Sequence, residues 1–277
     1  MICDWKLLKI GSCQHPGFMT IKGGSLACHE FPALVGLLIH ETFGPIIFDT
    51  GYDSAFLEAT KPFPERLYRM ATPIQYDESQ SIVNALEKYN FAPNDIKAII
   101  ISHFHGDHIA GLRNFPLAKI FCAKEGLKQT KIGNRFSRTK AGILSDLIPP
   151  RIECRAKFYE DYERIALPNE FAPFLWGVDL LGDNSLLAVE LDGHCKGHWG
   201  LIARTKDKPI FFIGDAAWSM KAVEENIPPP NITIGLLGNV PKYKDTLNKI
   251  SVLRRNSRDR LEIIPSHCVE TYGRWGH

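Results

Sequence analysis

Charge of one sign, paired cysteines and long apolar runs are all missing from this chain. Lys and Arg number 33 against 31 Asp and Glu, a net charge of +2, so no global field would hold a polyanion, and nucleic acid is not an expected partner. The basic stretch Arg254-Arg255-Asn256-Ser257-Arg258-Asp259-Arg260 contains an acid and follows an expected helix, which makes it a solvated helix end rather than a phosphate site. Seven cysteines, Cys3, Cys13, Cys28, Cys122, Cys154, Cys195 and Cys268, are odd in number and form no Cys-x-x-Cys pair. Free thiols in a reducing compartment fit this better than a disulfide framework. Met1-Ile2-Cys3-Asp4-Trp5-Lys6 has no basic segment followed by a sustained apolar one, and no window reaches the length of a membrane span. The expectation is a cytoplasmic protein with no membrane partner.

What is present is the composition of a folded enzyme-sized unit: 277 residues, 44% hydrophobic and 23% charged, within the range of one large mixed α/β domain. The expected domain is 1–277. Strands are expected at Trp5–Ile10, Ala33–His40 and Pro45–Asp49, because short apolar runs are broken there by glycine and proline. Asp77 or Ser79 is expected to cap a helix whose stripe is Ile82, Val83, Leu86 and Tyr89. A strand follows from Lys97, then another at Ala118–Cys122 and a short helix at Ala123–Gln129. From Thr130 to Trp176 the pattern weakens, and 130–176 reads as an insertion or helical lid that governs substrate selectivity. The second half alternates again, with strands at Val178–Leu181, Leu186–Leu191, Leu201–Arg204 and Ile210–Ile213 and helices near Ala216–Glu225 and Tyr243–Arg254. Pro228-Pro229-Pro230 is a stiff connector between them.

Directly after the apolar run Lys97–Ile101 comes Ser102-His103-Phe104-His105-Gly106-Asp107-His108. Three imidazoles around one carboxylate have no packing rationale, and nitrogen and carboxylate oxygen are donors suited to zinc and similar divalent metals. A strand ending near Ile101 would put these residues on a loop held rigid from beneath. His103 and His105 then suit one ion, and Asp107 and His108 a second. Four donors do not complete two shells, so partners must lie downstream. Three segments end a strand in a suitable residue: Gly197-His198-Trp199-Gly200, Ile210-Phe211-Phe212-Ile213-Gly214-Asp215 and Glu262-Ile263-Ile264-Pro265-Ser266-His267. His15, His29, His40, His194 and His277 show no partner spacing and are expected in ordinary surface or core roles. Cys195 and Cys268 flank proposed ligands but read as small buried residues. Tyr159, Tyr162, Phe171, Phe174 and Trp176 suit either an acyl-chain pocket or packing within the insertion.

The motif His-x-His-x-Asp-His with three ordered downstream partners, from Phe48-Asp49-Thr50-Gly51 through His267, resembles the metallo-β-lactamase superfamily of binuclear metallohydrolases. The resemblance implies a four-layer αβ/βα sandwich and two divalent ions, with zinc expected and iron or manganese as alternatives. It implies a first metal site of His103, His105 and His198 and a second of Asp107, His108 and His267. Asp215 would bridge the ions, and Asp49 would orient a ligand. A histidine at 108 and no cysteine ligand set the chain apart from true β-lactamases, and the order of motifs is most similar to the acyl-homoserine lactonase branch. The implied activity is hydrolysis of a lactone or ester by a metal-bridging hydroxide, about 3.5–4 Å separating the ions in such sites, with Asp107 and Asp215 as catalytic carboxylates acting on a small-molecule substrate. A glyoxalase-II-like thioesterase, a small-molecule phosphodiesterase and a metal-bound ligand-sensing module are the alternatives. Gly193-His194-Cys195-Lys196-Gly197-His198 lacks the threonine-proline dipeptide common in that branch. Oligomeric state is not legible.

Overall fold

Alternation of apolar side chains between two faces organises the whole structure. The computed structural model describes residues 1–276; His277 lies outside the described residues. Seven strands form the first sheet: β1 (Ile2–Pro16), β2 (Cys28–His40), β3 (Gly44–Phe48), β4 (Ile74–Gln75), β5 (Ala98–Ile100), β6 (Lys119–Cys122) and β7 (Ala156–Phe158), in the order β4-β1-β2-β3-β5-β6-β7. Six form the second: β8 (Arg164–Ala166), β9 (Trp176–Asp179), β10 (Leu186–Glu190), β11 (Trp199–Ala203), β12 (Ile210–Gly214) and β13 (Glu262–Pro265), in the order β13-β12-β11-β10-β9-β8. Strands β3, β5, β6 and β7 run parallel, as do β12 and β13.

Side chains one residue apart serve different cores. In the first sheet Leu34, Leu38, Ile46, Phe48 and Ile100 point toward the second sheet, where they meet Leu186, Leu201, Ile210, Phe212 and Ile264. Their neighbours Val35, Leu37, Ile47 and Ile99 pack outward on Ile82, Leu86, Ile109 and Leu112. In the second sheet Leu187, Val189, Ile202, Phe211 and Ile213 pack outward on Val223, Leu247, Ile250 and Leu253. Helix, sheet, sheet and helix therefore lie in four layers, as expected. Gly36 has a packing reason: a Cβ there would stand 2.8 Å from the Phe212 ring, which would wedge the sheets apart.

Several boundaries differ from those expected. Strands β1 and β2 are longer, because beyond Ser12 the pairs Gln14 to Glu30 and His15 to His29 continue the ladder with polar residues. Asp77 caps only a 3-10 turn, Glu78–Gln80, while Ser81 caps the helix Ile82–Glu87. The segment 130–176 holds one α-helix, Arg135–Lys140, and otherwise supplies an edge strand to each sheet, β7 and β8. It is a crossover between sheets as much as a lid. Edge strands bury little, which is why their apolar signal is weak. The helix Asn231–Leu237 after the prolines was not expected. Phe171 and Phe174 pack in the outer core of the second sheet, and the Tyr159 hydroxyl donates to the carbonyls of Ile101 and Phe121. No helix among the described residues is long and apolar enough to cross a membrane.

Phe212 stacks on Phe48 at 5.1 Å and meets the edge of Trp5 at 6.4 Å. Phe212→Ala is expected to cost about 3–5 kcal/mol of stability, measured as a shift in the urea midpoint at unchanged slope.

Candidate metal centre

The candidate ligands stand where strands end. His103 follows β5, Asp49 follows β3, Asp215 follows β12 and His267 follows β13. Asp49 has a positive φ of 60°, a conformation that aspartate tolerates better than most residues, and its buried carboxylate collects three donors. Ser102 N–H donates to Oδ1 and the Ser102 hydroxyl to Oδ2, both at 2.8 Å, and His108 Nδ1–H donates to Oδ2 at 2.7 Å. The His103 Nδ1–H donates to the Ser102 hydroxyl at 2.9 Å. His267 Nδ1–H donates to the Pro32 carbonyl at 2.8 Å. In all three rings the Nδ1 proton is committed, so Nε2 faces the cluster and, once deprotonated, directs a lone pair into it.

Those lone pairs have no protein partner. The Nε2 atoms of His103, His105, His108 and His267 and Oδ1 of Asp215 are all buried without a hydrogen bond. Orphaned buried acceptors gathered at one point, with carboxylates among them, are costly unless a cation satisfies them. The donor set, imidazole nitrogen and carboxylate oxygen, fits zinc, iron or manganese. Ligand atoms fall into groups whose members lie within 4.8 Å of one another: His103, His105 and His194 with Cys195; His103, His108 and Asp215; Asp107, His108 and His267.

The structure brings together six of the seven residues expected from the sequence, and His194 joins them in place of His198. His198 precedes β11 directly and is held by backbone on both sides. Its Nδ1–H donates to the Leu191 carbonyl at 2.9 Å and its Nε2 accepts from Asp215 N–H at 3.1 Å. No lone pair remains for a metal. Gly214, φ +54°, passes so close that a Cβ would lie 2.6 Å from His198 Nε2; the ring is a buttress under the turn that delivers Asp215. His194, four residues earlier and freer of the ladder, reaches inward instead, its Nε2 3.0 Å from His105 Nδ1 and 3.3 Å from Asp215 Oδ2. The sequence signal was a second histidine in the same glycine-flanked loop, and its distance from the strand was the clue to its reach. Burial beside the Asp215 and Asp192 carboxylates pushes the Cys195 thiol up, so it is a poor donor next to three imidazoles.

Asp215 is shared. Its Oδ2 faces His194, while its Oδ1 lies 3.4 Å from His108 Nε2 and 3.2 Å from His267 Nε2. Asp107 Oδ2 lies 3.2 Å from His267 Nε2 and 3.5 Å from His108 Nε2. Burial lowers the proton affinity of His108 and His267, but the surrounding carboxylates outweigh it and raise both well above the ordinary histidine range. His103 and His194 are driven well below that range, chiefly by burial, and burial brings His105 down to about 4. The cluster without metal therefore keeps its protons at the carboxylate-rich end, where a cation would displace them.

A cavity of about 400 Å³ opens onto Asp107, His105, His194 and Asp215. Its other walls are largely apolar, with Leu67, Phe136, Ile234 and Leu237 opposite Trp218 and His15. Gly142, φ +73°, lets the 130–176 segment turn directly over His105, where a Cβ would come within 2.8 Å of the ring.

A two-sheet sandwich carrying these donors at its strand ends, over an open cavity, defines a metal-dependent hydrolase. The chain belongs to the metallo-beta-lactamase superfamily, whose family model matches residues 31–256. It is similar to a probable metallo-hydrolase of Mycobacterium tuberculosis, 21% identical over 264 residues, covering 92% of this chain and 79% of that one. It is also similar to the N-acyl homoserine lactonase AttM of Agrobacterium fabrum, 26% identical over 239 residues, covering 83% and 79%. Among solved structures, an N-acyl homoserine lactone hydrolase with N-hexanoyl-L-homoserine at its catalytic metal centre superposes with a TM-score of 0.75 at 17% identity, covering 99% and 96%. A dizinc quorum-quenching lactonase gives 0.64 at 15% identity, covering 97% and 89%.

Because metal must displace the protons on His108 and His267, apparent metal affinity is expected to rise with pH and fall on acidification, with up to roughly two protons released per centre assembled. Chelator competition across a pH series measures this. In the same assay Asp49→Asn, which turns an acceptor of three bonds into a group carrying two donor hydrogens, is expected to weaken metal binding roughly 10–100-fold.

Proposed function

We propose that this chain hydrolyses a carboxylic ester or lactone at a binuclear centre. His103, His105 and His194 would hold one ion and Asp107, His108 and His267 the other, with the Asp215 carboxylate facing both sets. The observation that carries this reading is the Asp215 carboxylate, with one oxygen toward His194 and the other toward His108 and His267. Two divalent ions, for which the donor set suits zinc, iron or manganese, would supply an activated water and an electrophile for the carbonyl when bound.

The chain's own residues do the rest. Asp107, the most exposed carboxylate of the cluster at 9%, borders the cavity and accepts the proton that the attacking water gives up. That proton then goes to the departing alkoxide, and Asp215, also on the cavity lining, is placed to relay it there. Cys13 also borders the cavity, but burial, together with the nearby Asp107, pushes its thiol far up; it is a neutral wall group and not a nucleophile. The apolar walls accept the organic part of an ester, as a hydrophobic pocket with few polar groups does. Among the described residues Lys140 is the one lysine or arginine on the lining, a poor endowment for a phosphodiester and a suitable one for a neutral ester. The lactonase names of similar proteins support lactones as the first class to try.

The test is metal analysis coupled to a hydrolysis panel of lactones, thioesters and phosphodiesters. About two ions per chain and turnover of lactones or esters are expected, with activity abolished in His105→Ala while the fold persists. Turnover of phosphodiesters alone, or full activity in His105→Ala, overturns the reading. His194→Ala is expected to lose bound metal and activity. His198→Ala is expected to retain metal while losing about 1–3 kcal/mol of stability, since the Asp215 N–H and Leu191 carbonyl lose their partners.

A further inference from the structure

The mouth of the cavity carries an exposed apolar collar built from three segments distant in sequence. Leu67, Phe136 and Leu236 line the opening and are nonetheless 39%, 53% and 53% exposed. Met70 lies one helical turn from Leu67, Ile232 one turn from Leu236, and Phe63 meets the edge of Phe136 at 6.1 Å. These three outer residues are 64–77% exposed. Contiguous exposed apolar groups around a cavity mouth mark a surface made to meet something.

Charge around the collar is predominantly basic. The stretches 61–72 and 128–140 hold eight basic residues and one acidic, Glu65, whereas the whole chain is balanced. The Glu65 carboxylate is taken up by Arg135 at 2.6 Å. Lys61, Lys128 and Lys131 pair with Glu58, Glu125 and Glu153. Among the described residues Lys22, Arg66, Arg69, Arg138 and Lys140 have no carboxylate at ion-pair distance, and the apolar helix Asn231–Leu237 contains no charge of either sign. Lys22 is tied to the same rim through its N–H, which donates to the Pro228 carbonyl.

The geometry points to an anionic lipid surface as the occupant of this collar. Apolar side chains would enter the headgroup boundary, and the unpaired lysines and arginines would meet lipid phosphates, the combination that holds proteins peripherally on membranes. This association crosses no bilayer, in keeping with the absence of a spanning helix among the described residues. It departs from the expectation of no membrane partner, which rested on hydrophobic run length. A surface collar assembled from residues 63–70, 136–140 and 232–236 leaves no such run. The inference stands whether or not the proposed reaction is correct; if both hold, the cavity faces the lipid phase, from which apolar esters enter.

The test is co-sedimentation of the full chain with vesicles of phosphatidylcholine alone and of phosphatidylcholine mixed with phosphatidylglycerol. Binding is expected only to the mixed vesicles and is expected to weaken as salt rises. The double variant Met70→Glu/Ile232→Glu and, separately, Arg66→Ser/Arg69→Ser are each expected to weaken it about tenfold or more. All four positions lie off the cavity lining, so thermal melting and metal content are expected to match the parent protein and to separate loss of docking from loss of fold. Absence of binding to mixed vesicles, equal binding to both vesicle types, or binding unchanged in both variants overturns the proposal. A dimer in solution that Met70→Glu/Ile232→Glu dissociates, with vesicles ignored, assigns the collar to a second copy instead.

Discussion

Everything at the candidate centre depends on the buried carboxylate of Asp49. It sits between the ends of β3 and β5 and accepts from the Ser102 backbone, the Ser102 hydroxyl and His108 Nδ1. Through Ser102 it also sets the tautomer of His103. A carboxylate removed from water must be neutralised by donors, and here the same donors align two imidazoles with their free nitrogens inward. The Pro32 carbonyl does this for His267, and the Leu191 carbonyl holds His198 as a support beneath Asp215. Ligand geometry is thus a consequence of satisfying buried hydrogen bonds.

The two sheets make this possible because both contribute parallel strands ending at the same rim. The first sheet delivers His103 through His108 and their orienting aspartate; the second delivers Asp215 and His267, with His194 on the loop between β10 and β11. Packing of Phe48, Ile100 and Leu38 on Phe212, Leu201 and Ile264 holds the two rims in register. A displacement of a fraction of an ångström between sheets would separate Asp215 from His108, so the inter-sheet core is part of the centre's rigidity.

Chemistry and surface are divided among the cavity walls. Carboxylates and imidazoles lie at the base, apolar side chains at the sides, and an apolar and cationic collar at the mouth. The segment 130–176 reaches all of these levels only through its first part, since residues 136–142 wall the cavity while the later part completes the sheet edges. The cavity wall is therefore shared between that turn, the helix Arg66–Ala71 and the helix Asn231–Leu237.

By itself the sequence determined the layered α/β scaffold, because two-residue apolar alternation writes the inner and outer faces of both sheets directly. It also determined that a cluster of metal-ligand residue types lies at strand ends, because His103, His105, Asp107 and His108 are adjacent in the chain and Asp215 and His267 each close an apolar run. The choice between His194 and His198 was not legible. Both stand in one glycine-rich loop, and what separates them is which ring nitrogens the backbone of other strands has already taken. The cationic collar was equally hidden, since its parts lie far apart along the chain. Tertiary structure decided these matters for one physical reason: a side chain's availability depends on which partners folding brings to it, and those partners come from elsewhere in the sequence.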